Sequence, residues 1–271
     1  MGKLSGQTAL VTGAARGLGR AYALRLAELG ANVGVIDISL HSYKEFQAEA
    51  DTITSDTVLD ELKALGVKAV GAEADISNEE EVFAAVKKIS DELGDVSIVI
   101  CNAGGGMGPL TEGKASEMDL DIFRKVVERN LYGTVYTVTA VAPMMKKNNA
   151  GKIVTVASVG GQMANFDGTY AHYSSSKAAI IHYTRLLSNE LGSFGINVNC
   201  LAPGYIETAR LKDEFEKAGS EKFLNNISLG RFGTVEDCTK GMEFLVTDMS
   251  DYVTGTVLEV NGGTNNKVYI K

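Results

Sequence analysis

The sequence predicts an α/β protein built on a doubly wound parallel sheet, about seven strands with helices on both faces. Three observations carry this. Apolar runs of strand length alternate with longer amphipathic stretches along the whole chain. The runs are rich in Val, Ile and Ala with little polar alternation, as strands covered on both faces are. With 271 residues, 45 % of them apolar, the chain can bury one large core, and no break in composition divides it. A single domain over 1–271 is expected.

In order, the strand candidates are 8–12 (TALVT), 32–37 (NVGVID), 68–74 (KAVGAEA), 96–101 (VSIVIC), 152–157 (KIVTVA), 197–201 (NVNCL) and 256–260 (TVLEV). Each combines strand length with β-branched or small apolar residues. Between them, 17–29, 57–65, 79–93, 120–146, 174–191 and 235–247 read as amphipathic helices. Two segments break the rhythm. Residues 38–56 are long, polar and acidic, and separate the second strand from its helix. Residues 205–226 follow Pro203-Gly204 and read as a mobile, partly helical excursion, a lid segment over the substrate. Long loops in compact domains are commonly functional.

Composition narrows the function. A net charge of −8 without a basic cluster argues against a nucleic-acid partner. No apolar run approaches the ~20 residues needed to span a bilayer, so no membrane role is expected. The first residues run directly into a strand candidate with no signal-like apolar stretch. Cys101, Cys200 and Cys238 are odd in number and far apart, as buried thiols in a reducing compartment are. A cytoplasmic protein is expected, and no metal site: His41 and His182 lack partners at ligand spacing.

The first strand leads into Gly13-Ala14-Ala15-Arg16-Gly17-Leu18-Gly19 and then a helix. Glycines in such a turn let a pyrophosphate approach the backbone and let the helix pack on its strand. The helix N-terminus then presents free N–H groups to the phosphates. Asp37 closes the second strand about 20 residues on. A carboxylate there can accept from ribose hydroxyls and would repel a 2′-phosphate, so NAD is expected over NADP. Arg16 is the counter-argument, since it could pair with a phosphate.

At this point the sequence resembles the short-chain dehydrogenase/reductase family over almost its whole length. The glycine loop matches the family's cofactor loop, and Asp75-Ile76 matches the acid whose neighbours hold the adenine ring. Asn102-Ala103-Gly104 is similar to the family's N-N-A-G motif with Cys101 in place of the first Asn, which removes one structural hydrogen bond. Pro203-Gly204 and Thr208, with Ile206 between, match the segment at the nicotinamide end. Asn130, Ser158, Tyr173 and Lys177 match the catalytic tetrad. The resemblance implies a Rossmann-type fold, a nicotinamide cofactor whose ribose Lys177 holds, and a water held by Asn130 between Lys177 and solvent.

The residues themselves support that chemistry. Tyr173 and Lys177 are four apart, which puts them on one helical face. A free Tyr titrates near 10; a nearby ammonium and an oxidised nicotinamide favour its phenolate. Lowering that pKa by roughly 3 units takes about 4 kcal/mol, within reach of a charge at close range. Tyr173 is then a general base in alcohol oxidation and a general acid in ketone reduction, with Ser158 orienting the substrate oxygen. His172, beside Tyr173, points elsewhere on the helix and reads as structural. A Ser158-His172 hydrolase lacks the Gly-x-Ser-x-Gly turn.

Met107, Gln162, Met163, Tyr170 and Tyr205, with Ser158, are the candidate substrate wall. Most are apolar or aromatic, so a neutral, moderately hydrophobic secondary alcohol or its ketone is expected, cyclic and aromatic ones included. The resemblance implies a homotetramer paired through the helices carrying Asn130 and Tyr173. Two other functions remain open: a 3-oxoacyl-thioester reductase using NADPH, against which Asp37 argues, and a catalytically silent NAD sensor, against which the intact Ser158, Tyr173 and Lys177 argue. The 38–56 insertion either covers the cofactor or is a solvated loop.

Overall fold

The computed structural model describes residues 2–264, apart from the side chains at positions 210, 213, 214, 217 and 218. Seven strands form one sheet in the order β3-β2-β1-β4-β5-β6-β7, and every pairing is parallel. The strands are β1 (Thr8–Thr12), β2 (Asn32–Asp37), β3 (Ala69–Glu73), β4 (Ile98–Cys101), β5 (Gly151–Val156), β6 (Ile196–Pro203) and β7 (Val257–Val260). Neighbouring residues of a strand face opposite sides of the sheet. Ala9 and Val11 of β1 enter one core with Tyr22 and Leu26 of α1 (Gly17–Glu28). Leu10 enters the other, with Val86 and Ile89 of α4 (Glu79–Leu93). Both faces are covered, which is why the strands read as unbroken apolar runs.

The structure corrects the expected helix over 120–146. The segment divides into α5 (Leu120–Val127), a π-helical turn at Glu128–Tyr132 and α6 (Gly133–Asn148). Amphipathic periodicity cannot show one widened turn inside a helix, and such turns often mark functional sites. The 38–56 segment is also more structured than a plain loop. It holds a 3₁₀ turn (Ser42–Glu45) and a short helix, α2 (Gln47–Ala50), before α3 (Val58–Ala64). A reciprocal cap between Thr57 and Asp60 starts α3. The catalytic-helix candidate, α7, runs Ala171–Leu191, three residues earlier than its sequence pattern. The 205–226 excursion forms α8 (Ala209–Ala218) and α9 (Ser220–Leu224), and α10 (Val235–Val246) returns to pack on α1.

The sheet order sets the crevice. From β1 the chain builds outward through β2 and β3, then crosses back to β4 and builds the other way. Loops leaving β1 and β4 part at that reversal, where ligands of such sheets bind. Gly13, Asp37, Asn102, Ser158 and Pro203 all lie at or just past strand C-termini.

Candidate active site

A cavity of about 260 Å³ opens at this crevice. Gly13, Gly17 and Gly19 line one end of it, and Ser158, Tyr173 and Lys177 the other, with Asn102, Gly104, Pro203, Gly204, Ile206 and Thr208 between.

At the first end, Gly13 turns at φ +66, and a side chain there would lie 2.8 Å from the Ala103 Cα. Only glycine satisfies both the conformation and the approach. Asn102 holds the turn: its Nδ2 donates to the carbonyls of Thr12 and Gly13, each at 3.1 Å. The Thr12 hydroxyl accepts from the N–H groups of Asn102 (3.1 Å) and Ala103 (3.0 Å). Cys101, where the family motif has Asn, is buried in the core among apolar side chains, and burial pushes its thiol up to about 12. Asp37 is buried under the loop, and its Oδ2 accepts from the Ala15 N–H at 2.9 Å. Desolvation raises its pKa, against the pull of the Ala15 and Ser39 N–H groups.

At the other end, Ser158 follows β5 in extended conformation and its Oγ accepts from the Gly160 N–H at 3.2 Å. Lys177 is buried in α7 and donates to the Val156 carbonyl at 2.8 Å. Its Nζ lies 5.7 Å from the centre of the Tyr173 ring. Burial lowers the Lys177 pKa from 10.5 to about 8, since a charge in a poorly solvated place is costly. Asn130 sits in the π turn, fully buried. Its Oδ1 accepts from the Gly105 N–H at 2.7 Å and its Nδ2 donates to Ser176 Oγ at 2.8 Å. The side chain therefore ties the loop after β4 to α7.

The remaining candidates are placed differently. Asp75 accepts from the Ser77 N–H and hydroxyl, and Ile76 packs against Gly133; neither lines the cavity. None of Met107, Gln162, Met163, Tyr170 and Tyr205 lines it either. Gln162 bonds Glu259 at 2.8 Å and Met163 is 42 % exposed. Tyr205 joins an aromatic cluster with Phe215 of α8 and Phe223 of α9. Tyr170 stands nearest the reacting groups, its ring 5.2 Å from that of Tyr173, in a left-handed conformation at φ +59. His172 is buried and structural: its Nε2 lies 3.0 Å from the Met107 carbonyl.

Sequence reasoning missed Glu49. This residue lies in the 38–56 insertion, yet it lines the cavity and its Oε2 accepts from the Gly17 N–H at 3.2 Å. The acidity of the insertion was the only signal. Arg16 is engaged by the same segment: it pairs with Glu45 at 3.3 Å and stacks 4.5 Å over the Phe46 ring. Its Nη1 is buried without a partner among the described residues. That orphaned donor, the helix N–H groups at Gly17 and the Thr208 hydroxyl together fit a diphosphate-bearing cofactor.

A family model described as enoyl-(acyl carrier protein) reductase matches residues 13–265. A cyclohexanol dehydrogenase of Rhodococcus sp. (strain TK6) is 50 % identical over 260 residues, 96 % of each chain. A 3-oxoacyl-[acyl-carrier-protein] reductase of Synechocystis is 34 % identical over 264 residues, 97 % of this chain and 98 % of its own. Among solved structures, a 7α-hydroxysteroid dehydrogenase complexed with NADH and 7-oxo glycochenodeoxycholic acid matches with TM-score 0.84. It is 34 % identical over 96 % of this chain and 95 % of that one.

Proposed function

The chain belongs to the short-chain dehydrogenase/reductase family and is an oxidoreductase of secondary alcohols and ketones, and we propose that it uses NAD, with Tyr173 as general acid and base, on a neutral, moderately hydrophobic cyclic alcohol. The observation that carries this reading is the buried Lys177 ammonium beside the Tyr173 ring, in the cavity that also holds the glycine loop.

Bound NAD supplies the hydride acceptor in oxidation and, once reduced, the donor in the reverse direction. The protein handles the proton. Lys177 stabilises the Tyr173 phenolate, which takes the proton from the alcohol hydroxyl as the carbinol C–H bond breaks. In reduction the Tyr173 phenol returns a proton to the forming alkoxide. Ser158 donates a hydrogen bond to the same oxygen and fixes its position. Gly17, Arg16 and Thr208 hold the diphosphate, and Lys177 the nicotinamide ribose.

NAD is favoured over NADP on charge. Asp37 ends β2 beside the glycine loop, and Arg16 is already paired with Glu45. A 2′-phosphate there meets carboxylates. The substrate reading is supported by the Rhodococcus relative named for cyclohexanol. Apart from Arg16 and Lys177, no Lys or Arg among the described residues lines the cavity.

The purified protein should oxidise cyclohexanol with NAD, with a kcat/KM at least about tenfold above that with NADP, each tenfold being ~1.4 kcal/mol. It should reduce a 3-oxoacyl thioester with NADPH far more slowly. A preference for the thioester and NADPH overturns the reading. The Tyr173→Phe variant should lose at least about 10²-fold in kcat while binding NAD normally; normal turnover by this variant overturns the mechanism.

The assembly reading draws on the surface formed by the π turn, α6 and α7. Tyr132, Val135, Tyr136, Ala179, Tyr183 and Leu186 line an apolar groove on their outer faces, with Tyr132 and Leu186 about half exposed. Burying it between copies supports a homotetramer. Sedimentation of the wild type as a monomer alone would reject this assembly. No helix among the described residues is long and apolar enough to cross a membrane.

A further inference from the structure

The anion-binding end of the glycine loop is already held by a carboxylate of this chain. Helix α1 begins at Gly17, which lines the cavity and whose N–H has no intrahelical partner. Glu49 Oε2 takes that N–H at 3.2 Å. The Glu49 side chain is buried, 6 % exposed, and it lines the cavity. Helix N-termini attract anions through these free N–H groups and the helix dipole. The carboxylate therefore sits on a helix N-terminus inside the cavity, where the negative charge of an incoming diphosphate would meet it.

The segment bearing Glu49 is fastened to the same loop and helix at three further points. Glu45 pairs with Arg16, Phe46 stacks under the Arg16 guanidinium, and the Thr52 carbonyl accepts from Arg20 Nη2 at 3.1 Å. The segment's short helix α2 also touches α8 of the lid. Glu49 is thus delivered to Gly17 by a strap with its own anchors.

We propose that Glu49 is an intramolecular competitor for the cofactor's diphosphate and sets the cofactor's affinity. Binding exchanges one anion for another at the Gly17 N–H: the diphosphate enters, the Glu49 carboxylate leaves, and Arg16 Nη1 gains the partner it lacks. Removing the competitor removes the cost of the exchange. The strap is then an affinity determinant that the 38–56 insertion adds to the glycine loop. This rests on the NAD reading above.

The test is titration calorimetry with ADP-ribose, which carries the diphosphate and needs no turnover. Glu49→Gln and Glu49→Ala should each bind ADP-ribose about three- to tenfold more tightly than the wild type, the net scale of one ordinary hydrogen bond. Gln47→Ala is the control, because the Gln47 side chain bonds Asp51 on the strap itself; its affinity should be unchanged. Equal or weaker binding by both Glu49 variants overturns the proposal, and so does equal tightening by Gln47→Ala, which would mean that the strap is merely loosened. If the wild type binds no ADP-ribose at any accessible concentration, the dinucleotide reading itself falls. If the wild type binds and the Glu49 variants do not bind more tightly, that reading stands and the competitor falls.

Discussion

Lys177 donates to one carbonyl from a place with little water, and its folded pKa is accordingly about 8 against 10.5 for the free side chain. Between those values the unfolded chain carries the proton and the folded chain does not. Unfolding therefore takes up a proton, and stability rises with pH across the window from about 8 to 10.5. The gain should amount to no more than about 3 kcal/mol. Urea unfolding of the cofactor-free protein at about pH 7.5, below the window, and at about pH 10, in its upper part, compared with Lys177→Met, checks this. The wild type should gain relative to the variant at the higher pH, and a loss would reverse the sign. Lys177 and Tyr173 were legible in the sequence because a spacing of four fixes a common helical face. Asn130 was legible as a residue but not in its work. Its side chain joins Gly105, 25 positions before it, to Ser176, 46 positions after it, and no local pattern encodes that tie.

The glycine loop depends on a join between two strands that are distant in the chain. Asn102, just past β4, satisfies the carbonyls of Thr12, the last residue of β1, and of Gly13 with one amide. Asn102→Ala leaves both without that donor in a half-buried turn. The expected cost is about 1–3 kcal/mol of stability, together with weaker ADP-ribose binding, read by thermal unfolding and calorimetry. An unchanged midpoint would show that water replaces the amide. Element types were legible where the period was strong, as in α4 and the apolar strands. The break between α5 and α6 was not, because a π turn preserves the amphipathic stripe on either side of it. The 38–56 insertion showed only polarity and length. Its docking comes from Glu45, Phe46 and Glu49 meeting Arg16 and Gly17, about 30 residues earlier.

At the scale of the whole molecule, one sheet with a core on each face carries the site on the ends of its strands. Ile153, in central β5, is 1 % exposed in the core under α4, α6 and α7. Ile153→Ala should cost about 2–5 kcal/mol with an unchanged urea m-value, since the surface exposed on unfolding stays the same. A cost below ~1 kcal/mol would mean that this face is loosely packed. The sequence by itself determined the fold class, the glycine turn, Asp37 and the Tyr173–Lys177 face, because each is a local rule of periodicity or spacing. Only the tertiary structure decided which residues share the cavity. It brought Glu49 in and left Met107, Gln162, Met163, Tyr170 and Tyr205 outside its wall. Wall residues come from loops whose paths are set by packing against distant elements, and packing between distant elements leaves no period in the sequence.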